Sequence, residues 1–424
     1  MRRKSLLGSM ALVWAFCCIL LITNGMRAKS ESRNAHIAPS VPLAAAAAHT
    51  NPMNLDPQVR EAYQHYYNLD YQGAVERFDR YHKAHPGDPH PTVMLLNALV
   101  FQELYRQDTL DTTFYANDGF LSGRHATRED PAVRDRIFAL SDEAIREADW
   151  RIQQNSNDVD AYFDRAWVRS LRCTYVAMIE RAFGAGFHLA NKAREDADRC
   201  LQLDPNYVDA KLIAGVYQYV VGALPLPFKL LIGFAGITGS KTTGLAMLRD
   251  DAARGAITSV EARVAMALFL RREARYGEAI EVVRSIKGQY PRNFLVCLEE
   301  ANLRKDAGEG MAAVDAYRSL LADAARPGYF ADARLELAEF GLGDALRGQR
   351  HYDEAAAAYE HAAGAVTVSP ELKIRTLLAA GECHDMANER PLAVADYQAA
   401  IAAGPTTSRA DTARKHLKTP YRGN

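Results

Sequence analysis

Cysteine is scarce: six residues in a chain of 424, with no C-x-x-C pair among them. That excludes a disulfide-stapled scaffold and the commonest structural zinc spacing. Net charge is almost absent, with 51 Lys+Arg against 52 Asp+Glu, which excludes a generally basic nucleic-acid binder and an acidic solvating tail. Glycine (27) and proline (17) are too few for a collagen-like chain or one long linker. Paired carboxylates, a nucleophile with its base and a metal-ligand spacing are also missing, so no reaction and no cofactor are expected. What remains is a chain with 48% apolar residues, ample for a large core.

The longest uncharged apolar run stands at the start. Arg2, Arg3 and Lys4 precede Leu6–Ile22, the layout of a signal peptide or signal anchor over residues 1–26. Seventeen residues reach about 25 Å as a helix, the short limit for crossing a hydrocarbon core of about 30 Å. Cleavage and anchoring both stay open. Either outcome makes the protein exported and periplasmic. Residues 27–54, with Pro39, Pro42 and five consecutive alanines, read as a flexible linker. From Leu55 onward, 45 basic and 51 acidic residues remain, a modest acidic excess that suits solubility.

The body repeats itself. A marker Ala is followed four residues later by an aromatic or apolar residue, and about twelve later by Pro. Clear copies are Tyr71-Gln-Gly-Ala74…Phe78…Pro86, Tyr276-Gly-Glu-Ala279…Val283…Pro291, Ala313…Tyr317, Tyr352-Asp-Glu-Ala355…Tyr359 and Ala393…Tyr397…Pro405. Weaker copies start at Ala144, Ala193 and Gly244. A second phrase precedes several of them: Leu342-Gly343, Ala380-Gly381 and Ala214-Gly215. Successive markers lie 70, 49, 51, 35, 34, 42 and 38 residues apart.

These letters resemble the tetratricopeptide repeat, a helix–turn–helix of 34 residues. The resemblance implies an all-α, tetratricopeptide-like superhelical solenoid of about eight helical hairpins, preceded by the N-terminal apolar targeting helix. Small residues mark where paired helices approach closely, the residue four later fills the next gap on the same face, and Pro ends the second helix. One hairpin cannot bury its stripe alone, so stacking must supply the core. Residues 55–257 read as divergent repeats with insertions at 106–131 and 220–241, and 258–405 as regular ones. Within 406–424, Thr407–Lys418 reads as a polar capping helix.

The insertion Val220–Lys241 is apolar and rich in proline and glycine. With its flanks (about 206–295) it is similar to the inclusion-body-clearance type of tetratricopeptide family through Leu224-Pro225, Lys229-Leu230-Leu231, Gly236, Gly239, Gly244-Leu245 and Leu248. The Asp-Arg pair of that family is replaced by Ser240-Lys241. This resemblance implies an organising or lipid-associated role rather than a reaction. Residues 220–238 then either pack on the array or dip into a bilayer interface.

Four further patterns invite a chemical reading. Gly236-Ile-Thr-Gly239-Ser-Lys241-Thr242 departs from a phosphate loop because Ser240 separates Gly from Lys, although a helix starting at Lys241 is expected. His82, His85 and His90 with Asp88 gather where a second helix ends, so a metal site is conceivable there, against an ordinary complement to the helix dipole. Cys383-His384-Asp385 has the letters of a nucleophilic triad, but helix neighbours point about 100° apart. A Cys173–Cys200 bridge is left open beside free buried thiols.

The predicted concave face, lined by first helices, carries Tyr63, Tyr66, Tyr67, Phe163, Trp167, Tyr219, Arg271, Asn302, Lys305, Phe340 and Arg347. Capture of an acidic chain end would need Lys and Asn where Val59, Phe163, Leu212, Val264, Leu298, Phe340 and Leu378 stand. Aromatics flanked by Arg suit a mixed peptide or helical partner. Each aromatic has an alternative place in the core between repeats. The expected function is therefore a non-catalytic interaction scaffold in a bacterial cell envelope, with protein or peptide partners and no nucleic acid. A membrane or lipid organiser contacting through residues 6–22 and 220–238 is the alternative, and an enzyme of unrecognised class the third.

Overall fold

The computed structural model describes residues 48–110, 129–224, 229 and 237–423. The targeting segment, most of the linker, and the centres of both insertions lie outside the described residues. Among those described there are seventeen α-helices and no strand. No described helix is long and apolar enough to cross a membrane.

In chain order the helices are α1 (Pro57–Tyr67), α2 (Tyr71–Ala84), α3 (Pro89–Arg106), α4 (Pro131–Gln154), α5 (Val159–Met178), α6 (Phe183–Leu203), α7 (Ala210–Ala223), α8 (Lys241–Arg254) and α9 (Ser259–Arg272). They continue with α10 (Tyr276–Gln289), α11 (Phe294–Asp306), α12 (Met311–Ala324), α13 (Leu335–Gly348), α14 (Tyr352–Gly364), α15 (Pro370–Met386), α16 (Arg390–Ala403) and α17 (Ser408–Lys418). Chain contacts define two compact units. The first contains Tyr71–Leu268 with the residues up to Tyr66, and the second contains Tyr67–Asp70 with Phe269–Asn424.

Local chemistry sets the helix starts. Asp88-Pro89, Asp130-Pro131 and Ser369-Pro370 each place a capping side chain before a proline at the first helical turn, where the missing N–H costs nothing. Asp158, Ser240, Asn293 and Thr407 cap α5, α8, α11 and α17. The helix expected at Lys241 and the capping helix expected over 407–418 are both present.

In the first unit, α5 packs along α6, and α7 along α8. Gly215 and Gly244 sit at the α7–α8 crossing. A Cβ added at Gly244 would lie 2.5 Å from the Tyr219 backbone nitrogen, so the backbones touch there. The linker expectation needs correction at its end. His49 N–H donates to the Asn206 carbonyl at 3.0 Å, and Asn54 is buried against His90. Residues 48–54 are therefore part of the fold.

The second unit shows the repeat most plainly. Helices α11/α12, α13/α14 and α15/α16 are consecutive hairpins, and α17 packs on α15 and α16. Marker residues Ala279, Ala313, Ala355 and Ala393 are all buried, as are Tyr317, Tyr359 and Tyr397 four residues on. The tyrosine rings fill the space that glycines leave: Cβ atoms at Gly341, Gly343 and Gly381 would lie 2.5, 2.7 and 2.6 Å from the rings of Tyr317, Tyr359 and Tyr397. The turns repeat as well. The fifth residue before the marker is left-handed at Leu69, Ala274, Gly308, Arg350 and Asn388, four of them not glycine and each held at a conformational cost.

Candidate functional site: the first-helix face of the second unit

Eight of the eleven predicted partner-binding residues are buried. Tyr63 packs edge-on to Phe78 at 5.1 Å between ring centres, and Tyr66 lies 5.5 Å from Tyr71. Phe163 lies between Trp167 (5.5 Å) and Tyr207 (4.9 Å). Tyr219 is fully buried. Tyr67 stacks on Tyr290 at 4.8 Å, and its carbonyl accepts from Asn293. Asn302 accepts a 2.5 Å hydrogen bond from the Tyr317 hydroxyl. Arg271 is enclosed by Asp306 and Glu299. These side chains pack between helices. Lys305, Phe340 and Arg347 are partly exposed.

The basic residues form a ladder from one first helix to the next. Arg271 Nε donates to Asp306 Oδ2 at 2.8 Å, Lys305 Nζ lies 3.3 Å from Asp344 Oδ2, and Arg347 lies 2.8 Å from Glu382 Oε2. His416 of the capping helix reaches the other oxygen of Glu382 at 3.6 Å. Partner distances in sequence are 35, 39 and 35 residues, close to the repeat period. Each cation that looked available for a partner already has an anion on the neighbouring repeat. The partly exposed pairs made by Lys305 and Arg347 contribute about 0–1 kcal/mol each, but they hold long side chains in one geometry.

Phe340 sits beside this ladder. It shares a helix face with Asp344 and Arg347 at i+4 and i+7. Its ring lies 5.5 Å from Tyr359, and the Arg375 guanidinium covers it at 4.2 Å. A side chain that inserts here meets an aromatic face, a cation and alternating charge.

Other sequence patterns fall apart in space. His82 reaches Glu143 at 3.4 Å, His85 contacts its own helix carbonyl at Tyr81, and His90 is buried against Asp164 and Asn54. The three histidines therefore do not converge on one ion. His90 Nδ1 and Nε2 both face oxygens, at 2.5 and 2.7 Å, an arrangement that suits a positively charged ring. Burial opposes that charge, but the Asp164 carboxylate outweighs it and raises the His90 pKa. Cys173 and Cys200 are both buried and no disulfide joins them; the Cys173 thiol donates to the Gly186 carbonyl. In Cys383-His384-Asp385 the three side chains part ways. Asp385 pairs with Arg390 and accepts from Tyr397, while His384 turns to Glu389 and Glu360.

A cavity of about 340 Å³ opens between α10, α11 and α12, lined by Lys287, Cys297, Glu300, Arg304 and Asp323. Burial opposes charge on Glu300, yet Lys287, Arg284 and Arg304 more than compensate and lower its pKa. The anion is thus neutralised by its own neighbours.

Two features of the second unit were beyond sequence reasoning. The acidic rungs Asp306, Asp344 and Glu382 had no distinguishing letter, although their near-repeat spacing from the basic residues was a usable signal. The grouping of Glu360 with His384 and Asp396 had none.

No family model and no curated protein matches the chain. Several solved structures are similar to it. A tetratricopeptide repeat protein from Parabacteroides merdae is 14% identical, over 77% of this chain and 99% of that one, with a TM-score of 0.33. Yeast Tom70 is 11% identical, over 85% and 87%, with a TM-score of 0.34. The APC/C hetero-tetramer Cut9-Hcn1 is 11% identical, over 87% and 99%, with a TM-score of 0.32. The tetratricopeptide-like character of the chain rests on its own contacts: buried marker alanines, glycines filled by tyrosine rings, and a left-handed turn at a constant offset.

Proposed function

We propose that this protein is a non-catalytic scaffold of a bacterial cell envelope, taking a protein or peptide partner on the concave face formed by its first helices. The observation that carries the reading is the row of partly exposed, mutually paired side chains on consecutive first helices: Lys305–Asp344, Arg347–Glu382 and Phe340 under Arg375. Side chains already ordered by one another lose little further freedom when a partner binds. A segment with alternating charge and one large apolar anchor for Phe340 fits that chemistry. Export rests on the basic residues before the Leu6–Ile22 run.

The test is site-specific photocrosslinking in the full chain, with the reactive group at position 340 and, as a control, at the fully exposed Val366. A discrete protein adduct at 340, absent at 366 and weakened by Arg375→Glu, is expected. Equal or absent labelling at both sites defeats the scaffold reading. Flotation of the same protein with liposomes, abolished by deleting 223–238, would favour the lipid-organiser alternative.

A further inference from the structure

Glu360 on α14, His384 on α15 and Asp396 on α16 bring one donor atom each to within 4.8 Å of one another. His384 Nε2 lies 3.2 Å from Glu360 Oε1 and 3.6 Å from Asp396 Oδ2. Its other nitrogen, Nδ1, is 2.8 Å from Glu389 Oε2. Three carboxylates thus surround one imidazole. His384 and Asp396 are buried, 6% and 8% exposed, whereas Glu360 opens to solvent.

Hydrogen bonds join His384 to Glu389 and Glu360 but leave Asp396 out. Asp396 Oδ2 is buried and has no hydrogen-bond partner, a costly state for a carboxylate oxygen. With Nδ1–H donating to Glu389, Nε2 points its lone pair, or a single proton, at two carboxylates. One proton neutralises one of them; a divalent cation neutralises two. Donors bound tetrahedrally at about 2.0–2.1 Å lie about 3.3–3.4 Å from each other, and the two observed separations from Nε2 bracket that value.

We propose that Glu360, His384 and Asp396 form a binding site for a divalent transition-metal ion of the zinc class. The imidazole selects zinc-like ions over magnesium or calcium, which prefer all-oxygen sites. Glu389 acts through the histidine: by accepting from Nδ1 it keeps the Nε2 lone pair directed at the metal. Water completes the coordination on the Glu360 side, where the site meets solvent. Bound metal ties the second helix of one hairpin to both helices of the next, so its role is to fasten the repeats.

The full chain, stripped with chelator, is titrated with Zn²⁺ at neutral pH by calorimetry, with Mg²⁺ as comparison. One saturable site is expected, lost in His384→Ala and Asp396→Asn and weakened about 10–100-fold in Glu389→Gln. Zn²⁺ should also raise the melting temperature of the wild type and not of Asp396→Asn. The near-isosteric Asp396→Asn and Glu360→Gln keep the test valid if His384→Ala fails to fold. Absence of saturable uptake, uptake unchanged in Asp396→Asn, or equal uptake of Mg²⁺ overturns the proposal.

Discussion

His90 Nδ1 and Asp164 Oδ1 lie 2.5 Å apart with neither side chain reaching solvent, and Asn54 closes the other side of the imidazole. The contact links α3, α5 and the segment before α1. Removing one member leaves the other buried without its partner. His90→Ala should therefore destabilise the first unit by about 3–5 kcal/mol, and Asn54→Ala by about 1–3 kcal/mol. Urea unfolding followed by hydrogen exchange at α3 and α5 measures both. Equal stability of wild type and His90→Ala would refute a structural role for the His90–Asp164 contact.

Two glycines of the second unit should respond with opposite signs. A Cβ at Gly343 falls 2.7 Å from the buried Tyr359 ring, whereas one at Gly288 meets nothing within 4 Å. Overpacking at Gly343→Ala costs about 1–3 kcal/mol, against about 1 kcal/mol gained in helix propensity. Gly288→Ala keeps only the gain. Denaturation midpoints of the two variants should move apart on either side of the wild type.

Ala274 holds φ at 55° in an exposed turn, where Gly308 stands in the next repeat. A left-handed L-residue costs about 1–2 kcal/mol, and glycine returns about 0.5–1 kcal/mol of that as unfolded-state entropy. Ala274→Gly should stabilise the second unit by up to about 1 kcal/mol, seen as a higher denaturation midpoint. A loss of stability would contradict the left-handed turn.

Burial, with Glu360 adding to it, pushes the Asp396 carboxyl up to about 6. A raised carboxyl binds a proton on folding, so its stabilising contribution is complete below about 4 and disappears as pH rises through about 6. The His384 pKa is also raised: burial opposes the charge, and Glu389, Glu360 and Asp396 overcome it. That contribution likewise falls as pH rises, beyond the ordinary histidine range. In chelator, the wild type should lose melting temperature relative to Asp396→Asn between pH 4 and 7. Parallel pH profiles would remove Asp396 as a titrating group.

Burial pushes the Cys297 thiol up to about 11 and the Cys383 thiol up to about 12, and raises Cys200 further still. Thiolate is the reactive form. Alkylation of these three by iodoacetamide at pH 8 should be far slower in the native protein than in denaturant, as read by peptide mass spectrometry.

The repeat was legible because it depends on size at close helix contacts. Ala279, Ala313, Ala355 and Ala393 recur where any larger side chain would separate paired helices, and all four are buried. Capping was legible for a similar reason: Thr407 and Ser240 each act on an N–H group three residues away, within one turn of chain. Several residues expected on the concave face show the opposite property, being buried. Arg271, Tyr67 and Trp167 carry the letters of a binding face, but letters do not report which neighbour a side chain meets.

The order of residues by itself, through its resemblance to the tetratricopeptide repeat, determined the helical hairpins and polar terminal cap seen among the described residues, since small residues, turn formers and apolar stripes act through local spacing. Tertiary structure alone decided which charges cancel and which stay exposed. Arg347 meets Glu382 and Lys305 meets Asp344 because adjoining first helices are rotated to face one another. Glu360, His384 and Asp396 converge from three helices for the same reason: helix rotation and packing depth set side-chain neighbours, and neither is written in the order of residues along one helix.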